Sequence, residues 1–218
     1  MIRIKILCVF VILFFQSSII YSQVNDYSLL KISDILSSKS NSPVDLSVSK
    51  SAGGLFLSPL VGLEFPFREF SNTAKTGLTY GVKLEFASKV IYPFIIGGMF
   101  QQQLNNGDDE FKTVNRLDIL KTTINSFGLS LDIILNKYIK SDFTIPFITL
   151  EAKYLTIQRE ISPPSNMLEL ETSENVIGFT GGLGFTLYIF DLYGTYTYAK
   201  NYNSIAVKTR FHFPLIKF

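Results

Sequence analysis

The segment Val176-Ile177-Gly178-Phe179-Thr180-Gly181-Gly182-Leu183-Gly184-Phe185-Thr186-Leu187 decides the fold. One parity carries Ile177, Phe179, Gly181, Leu183, Phe185 and Leu187; the other carries Gly178, Thr180, Gly182, Gly184 and Thr186. Successive side chains of a strand point to opposite faces, so this strand has one large apolar face and one of glycine and threonine. A face turned to bulk water wears long charged groups, whereas Gly and Thr suit a cramped polar interior. An apolar outside around a small polar inside is what a membrane-spanning barrel requires, because lipid satisfies neither polar side chains nor open backbone groups.

Seven further segments repeat the pattern. Leu55 to Phe67 is apolar almost throughout, and Pro59 and Pro66, lacking a ladder donor, predict a poor central strand of uncertain register. Tyr80, Val82, Leu84 and Phe86 alternate with Thr79, Gly81, Lys83 and Glu85. From Val90 to Gln103, Tyr92, Phe94, Ile96 and Phe100 face outward against Gly97, Met99, Gln101 and Gln103, and Ser88-Lys89 predicts a tight hairpin before them. Lys121 to Leu135 sets Phe127, Leu129, Leu131 and Ile133 against Ser126, Gly128, Ser130 and Asp132. Phe143 to Ile157 sets Ile148, Leu150, Ala152 and Tyr154 against Thr149, Glu151 and Lys153. Phe190 to Ala199 sets Leu192, Gly194, Tyr196 and Tyr198 against Asp191, Tyr193, Thr195 and Thr197. Ile205 to Phe213 sets Val207, Phe211 and Phe213 against Lys208, Arg210 and His212.

Eight strands result, each long enough to cross a bilayer when tilted. Long polar connections (Arg68 to Thr76, Leu104 to Leu120, Gln158 to Glu174) alternate with shorter ones (Ser88-Lys89, Asn136 to Asp142, Tyr188-Ile189), although Lys200 to Ser204 is short for its place. Outer-membrane barrels have long loops outside and short turns in the periplasm. The predicted fold is therefore an all-β, eight-stranded antiparallel up-and-down transmembrane β-barrel. Tyr80, Tyr92, Tyr154, Tyr188 and Tyr198 fall near strand ends, where interfacial girdles are expected. Phe211 and Phe213 lie on the opposite parity to Ile216 and Phe218, which places a bulge near Pro214 or ends the strand there.

Composition agrees. The 218 residues are 47% hydrophobic and only 17% charged, with 20 Phe, 11 Tyr and no Trp, which suits one barrel domain. Arg3 and Lys5, an apolar run from Ile6 to Phe15 and Ser22 read as a secretory signal peptide over residues 1–22. Residues 23–52 form a Ser-rich periplasmic leader, with a short helix over Asp26 to Lys39 as one reading, and 53–218 form the barrel. Cys8 leaves with the signal, so the mature chain has no thiol chemistry. Without Arg3 and Lys5, 18 basic residues meet 18 acids, and no basic patch invites nucleic acid.

The signal ending at Ser22-Gln23, the eight amphipathic strands, the stretch Gly178-Phe179-Thr180-Gly181-Gly182-Leu183-Gly184 and the terminal Phe218 resemble the outer-membrane β-barrel domain family of Bacteroidetes-type bacteria, including PorT-like proteins. The resemblance implies assistance to secretion across the outer membrane, attached to no particular residue. A terminal aromatic, here Phe218, is the signal read by the outer-membrane assembly machinery, so the partners expected are lipid, that machinery and a periplasmic or secretion-system component.

Inside an eight-stranded barrel there is room only for side chains. Lys83, Glu85, Asp132, Glu151, Lys153, Lys208, Arg210 and His212 share the inward parity, and their mixed signs predict paired charges that plug and brace the lumen. A narrow polar path is the alternative. No catalytic residue is assigned, since the lone histidine, His212, sits at the periplasmic end. No cofactor or metal is expected, and Asp108-Asp109-Glu110 reads as a solvated acidic turn. Two functional classes remain: a non-enzymatic structural, assembly or surface-interaction protein, or a transport-class protein. A soluble lipocalin-like carrier would require the opposite polarity, apolar within and charged without.

Overall fold

A computed structural model describes residues 53–139, 144–163 and 171–217. The signal peptide, the leader and Phe218 lie outside the described residues. Nine strand segments follow in order: β1 (Gly53–Pro66), β2 (Gly77–Ser88), β3 (Phe94–Asn106), β4 (Ile119–Ile134), β5 (Ile145–Ser162), β6 (Ser173–Leu187), β7 (Phe190–Tyr198), β8 (Ser204–Phe211) and β9 (Phe213–Lys217). Each pairs antiparallel with its sequence neighbour from β1 to β8, and β1 returns to meet both β8 and β9. β8 and β9 are two pieces of one stave, so the cylinder has eight staves and is closed.

The break in that stave has a cause in β1. Pairing with β8 starts at Leu60↔Arg210 and pairing with β9 ends at Leu57↔Phe213, which leaves Ser58 and Pro59 opposite the gap. Pro59 has no N–H to give to a ladder. On the other edge of the stave His212 N donates to Ile189 O at 3.0 Å, which extends the β7–β8 register past Phe190↔Phe211. Thus β1 is a fully integrated strand, contrary to the sequence expectation, and its proline is accommodated by interrupting the neighbour. The register of β9 shifts between Leu55 and Phe56, with Leu215 as the extra residue, so the parity change after Phe213 is a bulge beside Pro214.

The β2–β3 turn is longer than the Ser88-Lys89 hairpin read from sequence. It occupies residues 89–93, closed by Tyr92 N to Ser88 O at 3.0 Å and Phe94 N to Ile91 O at 2.9 Å. Pro93 cannot join the ladder, which delays β3 to Phe94. The β6–β7 connection is the two-residue turn Tyr188-Ile189. At the other end, a 3-10 turn (Arg68–Asn72) follows β1, and helix α1 (Asp109–Val114) follows β3.

Face assignment decides between a membrane barrel and a soluble carrier. Phe127, Leu129 and Leu183 are 57%, 71% and 66% exposed, while Lys83 and Glu151 are 0% and 4% exposed. The barrel is apolar outside and charged inside.

Candidate functional site: the lumen and its lid

The interior is built in two storeys. Nearest the β6–β7 turn, Arg210 gathers three carboxylates: Nη1 lies 2.6 Å from Glu85 Oε1 and 2.7 Å from Asp132 Oδ2, and Nε lies 2.8 Å from Asp191 Oδ2. Its guanidinium stacks 5.4 Å from the ring centres of both Phe147 and Tyr193. The β6 glycines admit these rings, because a β-carbon on Gly184 would lie 2.3 Å from Tyr193 Cβ and 2.9 Å from Phe147 Cζ. The small face of the deciding strand is therefore a recess for side chains from its neighbours, β5 and β7.

His212 stands in the strand break with Nδ1 3.1 Å from Glu85 Oε2 and Nε2 2.9 Å from Asp191 Oδ2. Ser58 Oγ lies 3.1 Å from the same Nδ1. Ser58, His212 and Asp191 are connected in the manner of a nucleophile, base and orienting acid. Chemistry does not follow, because the Ser58 hydroxyl donates to Glu85 and is 0% exposed, so a substrate carbonyl has no approach.

The second charged group lies nearer the long loops. Lys83 Nζ is 2.6 Å from Glu151 Oε1, Lys153 Nζ is 2.8 Å from Glu151 Oε2, and Lys208 Nζ is 3.5 Å from Glu64 Oε2. Lys208 Nζ also donates to Gln101 Oε1 at 3.3 Å. The structure thus brings together all eight inward charges named from sequence, in two groups. Sequence reasoning missed Glu64, which sits in the proline-flanked first strand of unsettled register, and left Asp191 out of the network despite its inward parity. With these included, the five carboxylates Glu64, Glu85, Asp132, Glu151 and Asp191 outnumber Lys83, Lys153, Lys208 and Arg210 by one. His212, with a carboxylate against each ring nitrogen, balances the lumen when both nitrogens carry protons.

Above the charges lies an apolar lid. Phe70 and Ala74 from the first loop and Ala199 and Tyr202 from the last pack with inward-facing Ile124, Leu155, Ile157 and Val176. Phe70 and Tyr202 meet edge to face at 5.5 Å. The Tyr202 hydroxyl donates to Glu174 Oε2 at 2.6 Å and accepts from Arg159 Nη2 at 2.8 Å. Burial, reinforced by Glu174, raises the Tyr202 phenol above its ordinary range. The signal for this lid was present in the alternation: Ile124, Leu155 and Ile157 occupy inward parity in segments whose inward face was read only for its polar positions.

On the outer ends of β4 to β6 the two faces exchange character. Phe127 and Tyr154, directly paired and exposed, are followed along their strands by the outward pair Asn125 and Thr156, then Thr123 and Gln158, then Lys121 and Glu160. Over the same rows the inward positions Leu120, Ile124, Leu155 and Ile157 are buried. An apolar inside under a polar outside is the pattern of a wall standing in water. From Asn125 to Ile119 the wall continues for about 20 Å along the strand. Lys121 Nζ and Glu160 Oε2 are 3.6 Å apart on this face. At the inner margin, a row of Tyr80, Gln102 and Asn125 is hydrogen-bonded across β2 to β4, with Gln102 Nε2 donating to Asn125 Oδ1 at 2.7 Å.

The acidic turn after β3 has a local job. Asp108 caps helix α1, accepting from Glu110 N at 2.9 Å and Phe111 N at 3.2 Å. Asp109 is bound by Lys75 and by Lys112, the latter at 2.9 Å.

No family model matches the chain, and no curated protein sequence does. Among solved structures, Neisserial surface protein A is 11% identical with a TM-score of 0.48, covering 75% of this chain and 100% of its own. Ail, the attachment invasion locus protein of Yersinia pestis, in complex with the heparin analogue sucrose octasulfate, is 11% identical with a TM-score of 0.41, covering 74% and 99%. The N-terminal β-barrel domain of Pseudomonas aeruginosa OprF is 10% identical with a TM-score of 0.41, also covering 74% and 99%. At that distance, the reading of this chain rests on its own geometry.

Proposed function

We propose that this chain is a non-enzymatic integral outer-membrane protein, a plugged eight-stranded barrel that holds a stiff surface platform and its loops for contact with other molecules. The observation that carries this reading is the filled lumen. Two groups of paired charges occupy the cylinder, and the apolar cluster around Phe70 and Tyr202 lies over them. Membrane residence is supported by the outward row of large apolar residues, since an exterior with Phe127, Leu129, Ile177 and Leu183 exposed would aggregate in water.

The transport-class alternative, a narrow channel or a PorT-like secretion component, has less support because the lumen offers side chains where a path would run. Planar-bilayer recording of the full chain tests the reading. A plugged barrel gives no unitary conductance steps, and reproducible steps that vanish in a lumen variant would replace this function with a channel. Recovery in an outer-membrane fraction, with unheated protein migrating differently from boiled protein, is expected; identical migration with recovery in the soluble fraction would overturn membrane residence. Loss of secreted cargo in a deletion strain would favour the secretion role.

A further inference from the structure

The outer wall is dented where its face changes from apolar to polar. A cavity of about 540 Å³ opens on β1 to β4 at the long-loop end. Leu63, Leu78 and Leu104 line it and stand side by side in register, each exposed. Asn106, Lys121 and Thr123 line it too: Asn106 is the cross-strand partner of Lys121, and Thr123 that of Leu104. The dent therefore has an apolar wall that joins the lipid-facing belt through Leu63, which is followed along β1 by exposed Val61 and paired with exposed Val207, and a cationic, hydrogen-bonding wall continuous with the water-facing extension of β4.

Lys121 is free to serve a ligand. Its pairing with Glu160 is long at 3.6 Å, and the two side chains are 55% and 64% exposed. Such surface pairs hold weakly and exchange readily.

We propose that this cavity binds a lipid with a phosphate headgroup. Its acyl chain lies along Leu63, Leu78 and Leu104, and its phosphate is held by the Lys121 ammonium, with Asn106 and Thr123 donating. The leucine row selects a lipid over a free anion, because an occupant without a chain leaves that wall bare. Entry from the bilayer side runs past Val61 and Val207 to Leu63, the leucine continuous with the belt. The inference rests on the membrane-embedded reading of the barrel.

Native mass spectrometry of the full chain folded in detergent micelles tests it, titrating dimyristoylphosphatidylglycerol, the matching uncharged diacylglycerol and inorganic phosphate. The phosphatidylglycerol should be retained at one per barrel, and neither the diacylglycerol nor phosphate should displace it. Lys121→Ala should weaken retention about tenfold, the worth of one charge-assisted contact. Leu78→Ser should weaken it as well, whereas Glu160→Gln, which removes the competing carboxylate, should tighten it. The gain in Glu160→Gln guards against a trivial folding defect, and the heated and unheated gel shift checks each variant. Retention unchanged in Lys121→Ala and Glu160→Gln, or inorganic phosphate binding as tightly as the lipid, overturns the site. Liposome flotation separates the two levels: a barrel that floats but fails these tests loses the lipid site only, and one that does not float loses both readings.

Discussion

Lys83 Nζ lies 2.6 Å from Glu151 Oε1, and neither side chain is exposed to water. Glu151 also holds Lys153 at 2.8 Å, so one carboxylate compensates two buried ammonium groups. Removing one member of a buried pair leaves an uncompensated charge, which costs about 3–5 kcal/mol. Glu151→Gln strands both lysines and should lose at least that much in urea unfolding from liposomes. Lys83→Met leaves Glu151 with Lys153 and should lose distinctly less.

Glycines on the two faces of the wall should respond oppositely to a methyl group. Gly184→Ala would push a β-carbon to 2.3 Å from Tyr193 Cβ, and overpacking of this kind costs about 1–3 kcal/mol. Gly98 faces outward with nothing within 4 Å of its added β-carbon, so Gly98→Ala should leave the urea midpoint unchanged or raised.

The lid should be the weak point of the long-loop end. Phe70 is 2% exposed and packs on Tyr202, and Phe70→Ala should cost about 3–5 kcal/mol where its cavity stays open. Thr73 N and Ala74 N donate to Phe70 O at 3.3 and 3.1 Å. Their amide hydrogen exchange should quicken in the variant while exchange in β7 stays slow.

Acid should loosen the second long loop locally. Hydrogen bonds from Lys75, then Lys112, hold the Asp109 carboxyl at about 2, below its ordinary value of 3.8. A carboxyl lowered on folding contributes stability that is present above its unfolded value and lost as pH falls through the folded one. Protection of the α1 amides, the factor by which their exchange is slowed relative to an unstructured chain at the same pH, should therefore fall between pH 4 and pH 2. Asp109→Asn should show the lower protection at neutral pH and no such acid dependence.

The alternation of β2 through β8 was legible because a period of two has a single physical cause, one face in lipid and one in a crowded lumen. Lys83, Glu151, Lys208 and Arg210 could be placed inward by parity once the composition of the two faces had said which one meets lipid. Which carboxylate meets which cation could not, since partners such as Arg210 and Glu85 lie 125 residues apart and are joined by closure of the cylinder. Pro59 misled the reading of β1 because a missing donor was charged to its own strand, while the cost appears in the partner as the gap at His212. The lid escaped notice because Ile124, Leu155 and Ile157 obey the opposite polarity rule from residues a few positions away on the same strands.

That reversal along β4 and β5 means that Lys121 and Glu160 ride on hydrogen-bonded scaffold rather than on tethers. Whatever approaches from outside encounters a fixed contour there, and docking on it forfeits little backbone freedom compared with gripping a pliant loop. An antibody against this patch would recognise the native conformation and ignore the same residues presented as a linear peptide.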